Sequence, residues 1–539
     1  MRKFIRTISV AAFLAGSMLL ASCGGSLSTT SNAVSMPAPP PADESFEYVA
    51  PAETPATWSA FDEDASWSDT DPLICLTAEM QQTQWKGAKL YGNDLYIKEA
   101  GTYILSGNLE GQLYVAVNQE DKVHLVFNGF HVTCGSLSPI LCERGDKVSI
   151  TLVDGTENTV NDTASGYLAG SATADGRNAG AIHAKMGLTI NGTGTLRIKT
   201  TYRHGIVCNS NLRILSGSIF VEAEDQGIKG KESVSVRGGT VSIHSKGDGI
   251  KVNDEVKEDA GYFAMEGGSI SVQTDADGID VTKLVRIVGG ELKIDSKDHG
   301  ITTTGTFSTA ASPMITLDAY SGAEDSDAKG IKADGEIAVD GGTIRILRAF
   351  EGIESKNSSV VIKNGTVEID SANDGVNAGT LLTVEGGILY VKSQGDCLDS
   401  GGDIHIKGGK VVLAGSSSNA YAPMDVPEGH QILVDGGFLL AYGSLAEVQY
   451  PSSASAQGVI CATETIEKGA SCAIKDADGT VLCVFTARDT ALTLCFSSEK
   501  VQKGTSYTIY TDVTPLGDPQ DGVYDKCVSG QAKQTLSAQ

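Results

Sequence analysis

Several common signatures are missing from this chain of 539 residues. It has no G-x-G-x-x-G, no G-x-x-x-x-G-K-[ST], no H-E-x-x-H and no G-x-S-x-G, so the Rossmann, P-loop, zinc-peptidase and serine-hydrolase classes lose their usual support. Basic residues are also scarce, with 41 Lys and Arg against 67 Asp and Glu and a net charge of −26. This charge argues against nucleic acid and against anionic lipid as a direct ligand.

The cysteine spacing and the low aromatic content exclude further kinds of site. The chain has 11 Cys but no C-x-x-C pair, so zinc and redox motifs of that kind are absent. Buried free thiols are the simplest interpretation, although disulfides are possible in an exported protein. Aromatic residues make up only 6% of the chain, so a long stacking platform for neutral sugars is not evident.

The middle of the chain repeats a phrase of about 22 residues, and this period predicts stacked copies of one supersecondary unit. Each copy contains Asp-Gly-Ile or a variant, an alternating apolar strand, Gly-Gly-Thr or a variant, and a second alternating strand. The glycine of the first turn recurs at Gly205, Gly227, Gly249, Gly278, Gly300, Gly330, Gly352 and Gly375.

Alternation between apolar and polar residues predicts half-buried strands, as at Val234, Val236, Val241 and Ile243. No repeat has a helical period or room for a crossover helix. The sequence therefore predicts an all-β fold, a single-stranded parallel β-helix made of coils stacked ~4.8 Å apart. A β-sandwich with glycine-rich turns is the alternative, but its strands would not repeat a sequence at fixed spacing.

The chain divides into five predicted segments. Residues 1–22 combine a basic start, an apolar run and small residues, which predicts a lipoprotein signal peptide ending before Cys23. Lipidation of Cys23 would anchor the protein in the cell envelope, facing outward. Residues 23–72 read as a disordered tether, 73–440 as the β-helix, 441–515 as a small C-terminal β capping region, and 516–539 as a tail.

Acidic residues recur just before the turn glycine and two positions after it. Stacked carboxylates repel one another, and a hard cation such as Ca²⁺ removes that cost. Asp before Gly is also a good turn residue, which is the competing explanation. The predicted calcium ligands are Asp248, Asp277, Asp280, Asp298, Glu351, Glu354, Asp374, Asn377, Asp396 and Asp399.

The phrases Glu351-Gly-Ile-Glu354, Asn373-Asp-Gly-Val-Asn377 and Gly395-Asp-Cys-Leu-Asp399 resemble a family of secreted bacterial carbohydrate-binding domain-containing proteins. The resemblance implies a right-handed parallel β-helix similar to family 9 pectate lyases. It also implies calcium and the binding of cellulose-like or acidic, pectic polysaccharides. His299, Thr302, Lys329 and Lys332 interrupt the acidic ladder, and Cys397 replaces the usual glycine.

Three functions follow as alternatives. The first is a surface-anchored binder of acidic polysaccharide, with calcium bridging protein and glycan carboxylates. The second is a pectate-lyase-like enzyme that eliminates across a uronide, with Lys251 or Lys229 as weak candidate bases. The third is a structural adhesin stiffened by calcium, so an enzymatic activity is left open.

Overall fold

A computed structural model describes residues 55–539 except 78–79, 81, 167–179, 323–326, 372, 419, 446–447 and 521. Cys23 and the predicted signal peptide lie outside the described residues, so lipidation and anchoring stay predictions. No helix in the described part of the chain is both long and apolar enough to cross a membrane.

The described residues of the early part of the chain form one short helix and 13 strands. They are α1 (Ala60–Glu63), β1 (Leu73–Leu76), β2 (Gln82–Trp85), β3 (Ala88–Tyr91), β4 (Asp94–Ile97), β5 (Gly101–Glu110), β6 (Leu113–Ala116), β7 (Lys122–Cys134), β8 (Ile140–Arg144), β9 (Lys147–Leu152), β10 (Glu157–Asp162), β11 (Gly180–Ala184), β12 (Gly187–Gly192) and β13 (Thr195–Thr200).

The regular repeats supply the next group of strands, most of them three to six residues long. They are β14 (His204–Cys208), β15 (Asn211–Ile214), β16 (Ser218–Ala223), β17 (Ile228–Gly230), β18 (Ser233–Val236), β19 (Thr240–Ser245), β20 (Ile250–Val252), β21 (Tyr262–Met265), β22 (Ser269–Thr274), β23 (Ile279–Val281), β24 (Leu284–Ile287), β25 (Glu291–Ser296), β26 (Ile301–Thr303), β27 (Thr306–Ala319), β28 (Lys329–Ala333), β29 (Ile337–Arg348), β30 (Glu351–Ser355), β31 (Val360–Ser371), β32 (Val376–Ala378), β33 (Leu382–Val384), β34 (Ile388–Ser393), β35 (Leu398–Ser400), β36 (Ile404–Ile406), β37 (Lys410–Ala414), β38 (Met424–Asp425), β39 (Ile432–Val434) and β40 (Phe438–Gly443).

The C-terminal strands follow. They are β41 (Val459–Ile466), β42 (Ser471–Lys475), β43 (Val481–Thr486), β44 (Ala491–Ser497), β45 (Ser506–Thr511), β46 (Thr514–Leu516), β47 (Val523–Tyr524), β48 (Lys526–Val528) and β49 (Gln531–Ser537).

The strands form four sheets, of 26, 16, 5 and 2 strands. Within the regular repeats every pairing is parallel and joins equivalent strands of successive repeats, such as β17 with β20 and β20 with β23. The inward residues of the two large sheets meet in one apolar core that runs from Ile74 to Cys495. Because alternate residues of a strand point to opposite faces, the polar residues of each repeat lie on the outside.

The prediction of a single-stranded right-handed parallel β-helix is wrong as the fold class, although the protein is all-β. The 26-stranded sheet joins strands that the prediction kept apart, because β27 pairs with both β24 and β25 and continues through the corner between them. The sheet also takes in antiparallel strands, since β44 pairs antiparallel with both β40 and β41. Periodicity predicted the strands but not which rows would merge into one sheet.

The last part of the predicted tether lies against the sheets. Ser59 caps α1, and the buried Asp62 accepts a hydrogen bond from the Lys147 Nζ at 2.7 Å. Burial would raise the pKa of Asp62, but hydrogen bonds from Lys147, Ser59 and Thr189 outweigh it and hold the pKa well below its usual range. The other segment boundaries predicted from the sequence stay predictions.

Candidate functional site

One row of outward-facing side chains runs along the 16-stranded sheet, one residue from each strand. In each short strand the flanking residues are buried, as Ile250 and Val252 are around Lys251. The pairing registers fix the order of the row. Across the regular repeats the row is Lys229, Lys251, Asp280, Thr302, Lys332, Glu354, Asn377, Asp399 and Asp425.

A second row lies beside it, one position before the turn glycine. The backbone carbonyls of this row accept hydrogen bonds from the glycine N–H of the preceding repeat, as Asp396 does from Gly375 at 2.8 Å. A Cβ at Gly375 would lie 2.2 Å from Val391 Cγ1, so the close approach of the turn to the core requires glycine here. The second row contains Asp248, Asp277, His299, Lys329, Glu351, Asp374 and Asp396.

The first predicted acidic group already holds a cation. Lys251 Nζ lies 2.8 Å from Asp248 Oδ2 and 2.5 Å from Asp280 Oδ2. Burial would lower the pKa of Lys251, but hydrogen bonds to Asp248 and Asp280 outweigh burial and raise it above its usual range. Lys251 therefore neutralises these carboxylates and stays protonated at neutral pH, which makes it a poor general base.

Lys229, the other candidate base, lies on the neighbouring strand, directly paired with Lys251. It lines a cavity of about 270 Å³ together with Asn209, Lys231 and Asn253. The cavity is therefore basic and polar, in contrast with the acidic part of the same row.

Asp277, Asp298 and His299 lie together, and one ligand atom from each is within 4.8 Å of the others. Burial, followed by repulsion from Asp248, Asp298 and Asp280, raises the pKa of Asp277 to about 7. The His299 ring is already engaged, because Nδ1 accepts from the Lys329 N–H at 3.1 Å and Nε2 lies 3.1 Å from Lys332 Nζ. A cation here would have to displace these contacts.

The second predicted group divides in two, because Lys329 neutralises one part of it. Lys329 is only 4% exposed, and its Nζ lies 2.8 Å from Glu351 Oε2 and 3.3 Å from Glu354 Oε2. It also lies 3.2 Å from Asp327 Oδ1. Burial raises the pKa of Glu351, although the hydrogen bond from Lys329 lowers it in part. Glu351 and Glu354 are thus held by a buried internal cation.

The other part of the second group is an acidic cluster on β32, β35, β38 and the turns that precede β32 and β35. In the part of the chain that the structure describes, no Lys, Arg or His forms an ion pair with Asp374, Asp396 or Asp399. Direct pairing places Asn377 beside Asp399 and Asp399 beside Asp425. We call these five residues the aspartate cluster: Asp374, Asn377, Asp396, Asp399 and Asp425.

Electrostatics within the aspartate cluster are unfavourable when all carboxylates are ionised. Burial, followed by repulsion from Asp374, Asp425 and Asp399, raises the pKa of Asp396 to about 7. Burial and neighbouring carboxylates raise the pKa of Asp399 to about 6 and also raise that of Asp374. Backbone N–H groups offset part of this repulsion. The Ala422 N–H donates to Asp396 Oδ1 at 2.6 Å, and the Asp396 N–H donates to Asp374 Oδ1 at 2.8 Å.

The donor types of the aspartate cluster suit a hard divalent cation, although among the described residues it is Asp277, Asp298 and His299, and not this cluster, whose ligand atoms lie within 4.8 Å of one another. Its side chains offer only carboxylate and amide oxygens, which are the ligands that Ca²⁺ takes in proteins. The raised pKa values mark carboxylates that lack a counter-charge, and a bound cation would supply it. In contrast, the ammonium of Lys251 already fills that role for Asp248 and Asp280.

Two features of the outward row were missed from the sequence. Asp425 follows no Asp-Gly-Ile phrase, although the alternation Met424, Asp425, Val426 signals an outward position on a strand. Tyr96 and Tyr114 lie in register with the row at its other end, separated from Lys229 by the buried Leu141, His183 and Val207. Their ring centroids are 5.6 Å apart, and Lys98 Nζ lies 4.6 Å from the Tyr114 centroid. Their signal was the same alternation, in Leu95-Tyr96-Ile97 and Leu113-Tyr114-Val115.

The raised pKa values predict how stability depends on pH in protein stripped of divalent metal. A folded-state pKa above the unfolded value means that the folded state binds more protons, so the free energy of unfolding falls as pH rises. For Asp396 and Asp399 this fall spans about pH 4 to about 7. Asp396→Asn/Asp399→Asn should remove on the order of 2–4 kcal/mol of that fall, measured by urea unfolding across the window. An identical pH profile in the variant would contradict the repulsion described here.

Similarity to known proteins covers most of the chain. The family described as "Carbohydrate-binding domain-containing protein" matches residues 91–375 and 348–489. These segments include both rows of the 16-stranded sheet, the tyrosines Tyr96 and Tyr114, and the C-terminal strands as far as β43.

One curated relative and one solved structure have related sequences. A carbohydrate-binding domain-containing protein from Acetivibrio thermocellus is 29% identical over 138 residues, which are 25% of this chain and 48% of the relative. The chain thus spans about half the length of that relative. A polysaccharide lyase-like protein from C. thermocellum, solved as a gadolinium derivative, is 29% identical with a TM-score of 0.41, over 42% of this chain and 92% of that chain.

Proposed function

The chain belongs to the family of carbohydrate-binding domain-containing proteins, and from this premise we propose that it binds polysaccharide on the outward face of its 16-stranded sheet. The rows of polar side chains on this face run across all the regular repeats. A linear polymer lying along them would meet a basic and polar cavity at Lys229 and the aspartate cluster farther on.

The polysaccharide that fits this face best is acidic, with Ca²⁺ as the mediator. With a net charge of −26, the chain repels a polyuronate unless a cation intervenes. When bound, calcium supplies positive charge that can be shared between protein carboxylates and uronate carboxylates. Asp374, Asp396, Asp399 and Asp425 with Asn377 would hold the ion, as the resemblance to calcium-dependent, pectin-associated proteins implies.

The observation that carries this proposal concerns Asp374, Asp396 and Asp399, which form no ion pair with a basic side chain in the part of the chain that the structure describes. Elsewhere on the same rows, Lys251 and Lys329 neutralise the neighbouring carboxylates. Asp374, Asp396 and Asp399 instead have raised pKa values, and backbone N–H groups donate to Asp374 and Asp396. An added divalent cation at this place would relieve that repulsion.

A lyase activity receives less support from the site. Elimination needs a basic amine, and Lys251 is held as an ammonium between Asp248 and Asp280. We therefore expect retention of polygalacturonate without steady release of unsaturated uronide. Accumulation of that product, lost in Lys251→Ala, would instead place the protein among the lyases.

The cellular position that we propose rests on the sequence. Leu20-Ala-Ser-Cys23 after a basic and apolar leader indicates lipidation of Cys23, and the following Ser-, Ala- and Pro-rich segment would extend the binding face from the membrane surface. Binding at the outside of the cell would give the domain access to polymeric glycans.

Affinity electrophoresis in gels with embedded polygalacturonate tests the function. Migration of the purified chain should be slowed by the polymer in Ca²⁺ and restored by EGTA. Asp396→Asn/Asp399→Asn should lose most of the retardation, since both carboxylates belong to the aspartate cluster. Retardation that persists unchanged in EGTA would reject the calcium-mediated mode.

A matched control removes two carboxylates elsewhere. Asp318→Asn/Asp370→Asn changes the net charge equally, but these residues lie on the 26-stranded sheet and pair with Arg348 and Lys392. This variant should keep the calcium-dependent retardation. Equal loss in both double variants would mean that net charge, and not the aspartate cluster, controls binding.

A further inference from the structure

Two cysteines face each other across antiparallel strands near the C-terminal end of the large sheet. Strands β41 and β44 pair in a register that sets Cys461 directly opposite Cys495. The Cys495 Sγ lies 3.1 Å from the Cys461 Sγ. Opposed residues on antiparallel strands have Cα atoms about 4.5–5.5 Å apart, which lies inside the range that a disulfide spans.

We propose that Cys461 and Cys495 are a redox-modification site and form a cross-strand disulfide on reaction with a disulfide oxidant. The sulfurs need to approach by only about 1 Å to reach bonding distance. Among the residues that the structure describes, no other two cysteine sulfurs are in hydrogen-bond contact. The geometry therefore selects this pair from ten cysteines that are free in the structure.

The disulfide would link β41 and β44, two strands at the end of the repeats, covalently to each other. Strand β44 lies between β41 and β40, because Cys495 pairs with Cys461 on one side and with Ala441 on the other. Strand β40 pairs in parallel with β37, the equivalent strand of the preceding repeat. In the described part of this sheet, β40 is the last strand with such a parallel pairing. A cross-link between β41 and β44 would hold the cover over that sheet edge.

The exchange proceeds in two balanced steps. The Cys461 thiolate attacks one sulfur of the oxidant, which breaks the oxidant's S–S bond, forms a mixed disulfide and releases one thiol. Cys495 then loses its proton and attacks the Cys461 sulfur, which releases the second thiol. Two protein thiols are oxidised to one disulfide, and the oxidant is reduced to two thiols.

Access and acidity fix the order of these steps. Cys461 is partly exposed, whereas Cys495 is buried. The hydrogen bond to Cys461, together with burial, raises the pKa of Cys495 well above its usual value. Cys461 is therefore the thiol that meets the oxidant, and Cys495 reacts only after the mixed disulfide has formed beside it.

Peptide mapping of the full chain tests the assignment. Purified protein is treated with oxidised glutathione, remaining thiols are alkylated, and the digest is analysed without reduction. We expect one peptide pair joining Cys461 to Cys495, with two fewer alkylated thiols per chain and loss of the cross-link on reduction. Full alkylation of both cysteines after oxidation, or their linkage to other cysteines, would overturn the proposal.

Variants separate the cross-link from general effects of oxidation. Cys461→Ser should abolish the cross-linked pair, while Cys75→Ser, on the first strand, should leave it intact. Reduction should lower the melting temperature of oxidised wild type but not that of Cys461→Ser, because only the former loses a covalent constraint. If Cys461→Ser misfolds, the mapping of wild type and Cys75→Ser still decides the question. An oxidised wild type that contains the cross-link but melts at the same temperature after reduction would contradict the fastening role.

Discussion

Replacing Lys329 with Met should destabilise the protein by about 3–5 kcal/mol at neutral pH, the usual cost of removing one partner of a buried ion pair. Lys329 is 4% exposed, and its Nζ lies within 3.3 Å of carboxylate oxygens from both Glu351 and Glu354. Met retains most of the side-chain volume but leaves the two carboxylates without their cation. The loss is measured as a shift in chemical unfolding.

Two comparisons separate charge from packing in this prediction. Since burial raises the pKa of Glu351, the destabilisation should shrink as pH falls and Glu351 becomes protonated, and Glu351→Gln should recover part of it. Lys392→Met removes the cation of an exposed pair with Asp370 and should cost less than about 1 kcal/mol. Equal losses in Lys329→Met and Lys392→Met would show that burial of the first pair has little energetic consequence.

Calcium should stabilise the folded protein, and most of the gain should depend on the aspartate cluster. A ligand that binds only the folded state adds about 2.7 kcal/mol at a hundredfold excess over its Kd. Asp396→Asn/Asp399→Asn should lose most of this increment, because it removes two of the carboxylates that would hold the ion. The increment is measured as the difference in unfolding free energy with and without Ca²⁺.

A control with the same chemical change tests the site of that increment. Asp248→Asn/Asp280→Asn also replaces two carboxylates, but here Lys251 already acts as the cation. The variant should be less stable in the absence of calcium, yet should keep the calcium increment. An increment lost equally in both variants would place the ion elsewhere on the rows or spread it over several weak sites.

Much of the outward row could be predicted from the sequence, because each repeat contains a turn glycine by which the repeats can be aligned. The turn glycine fixes the register, so Lys251 falls beside Asp280 and Glu354 beside Asn377, as the structure pairs them. At the turn glycine the backbone lies so close to core side chains and to the next turn that there is no room for a Cβ atom. The glycine therefore marks the same turn position in each repeat. Alternation then decides which side chains face outward.

The charge state of the site could not be predicted in the same way. The sequence placed Lys329 as an interruption of the acidic ladder, but its long side chain reaches across to Glu351 and Glu354. Lys251 likewise reaches two carboxylates on different strands. Side-chain direction depends on local packing and charge. Of the ten predicted ligands, Asp374, Asp396 and Asp399 are carboxylates that form no ion pair with a basic side chain within the described residues.

The fold class failed for a related reason. Local patterns specify strands and turns, whereas the continuity of β27 through a corner depends on backbone geometry between two strands. The C-terminal strands were expected to cover the end of the repeats as a separate region. β41 and β44 do lie at that end, but they pair into the 26-stranded sheet itself.

The most direct test of the account is a calorimetric titration of metal-free protein with Ca²⁺ at about pH 6.5, in two buffers that differ in ionisation enthalpy. Because the pKa of Asp396 is about 7 and that of Asp399 about 6, binding should release protons and the apparent enthalpy should differ between the buffers. Asp396→Asn/Asp399→Asn should abolish this binding, and Asp248→Asn/Asp280→Asn should retain it. Absence of calcium binding by the wild type, or unchanged affinity in Asp396→Asn/Asp399→Asn, would contradict the account.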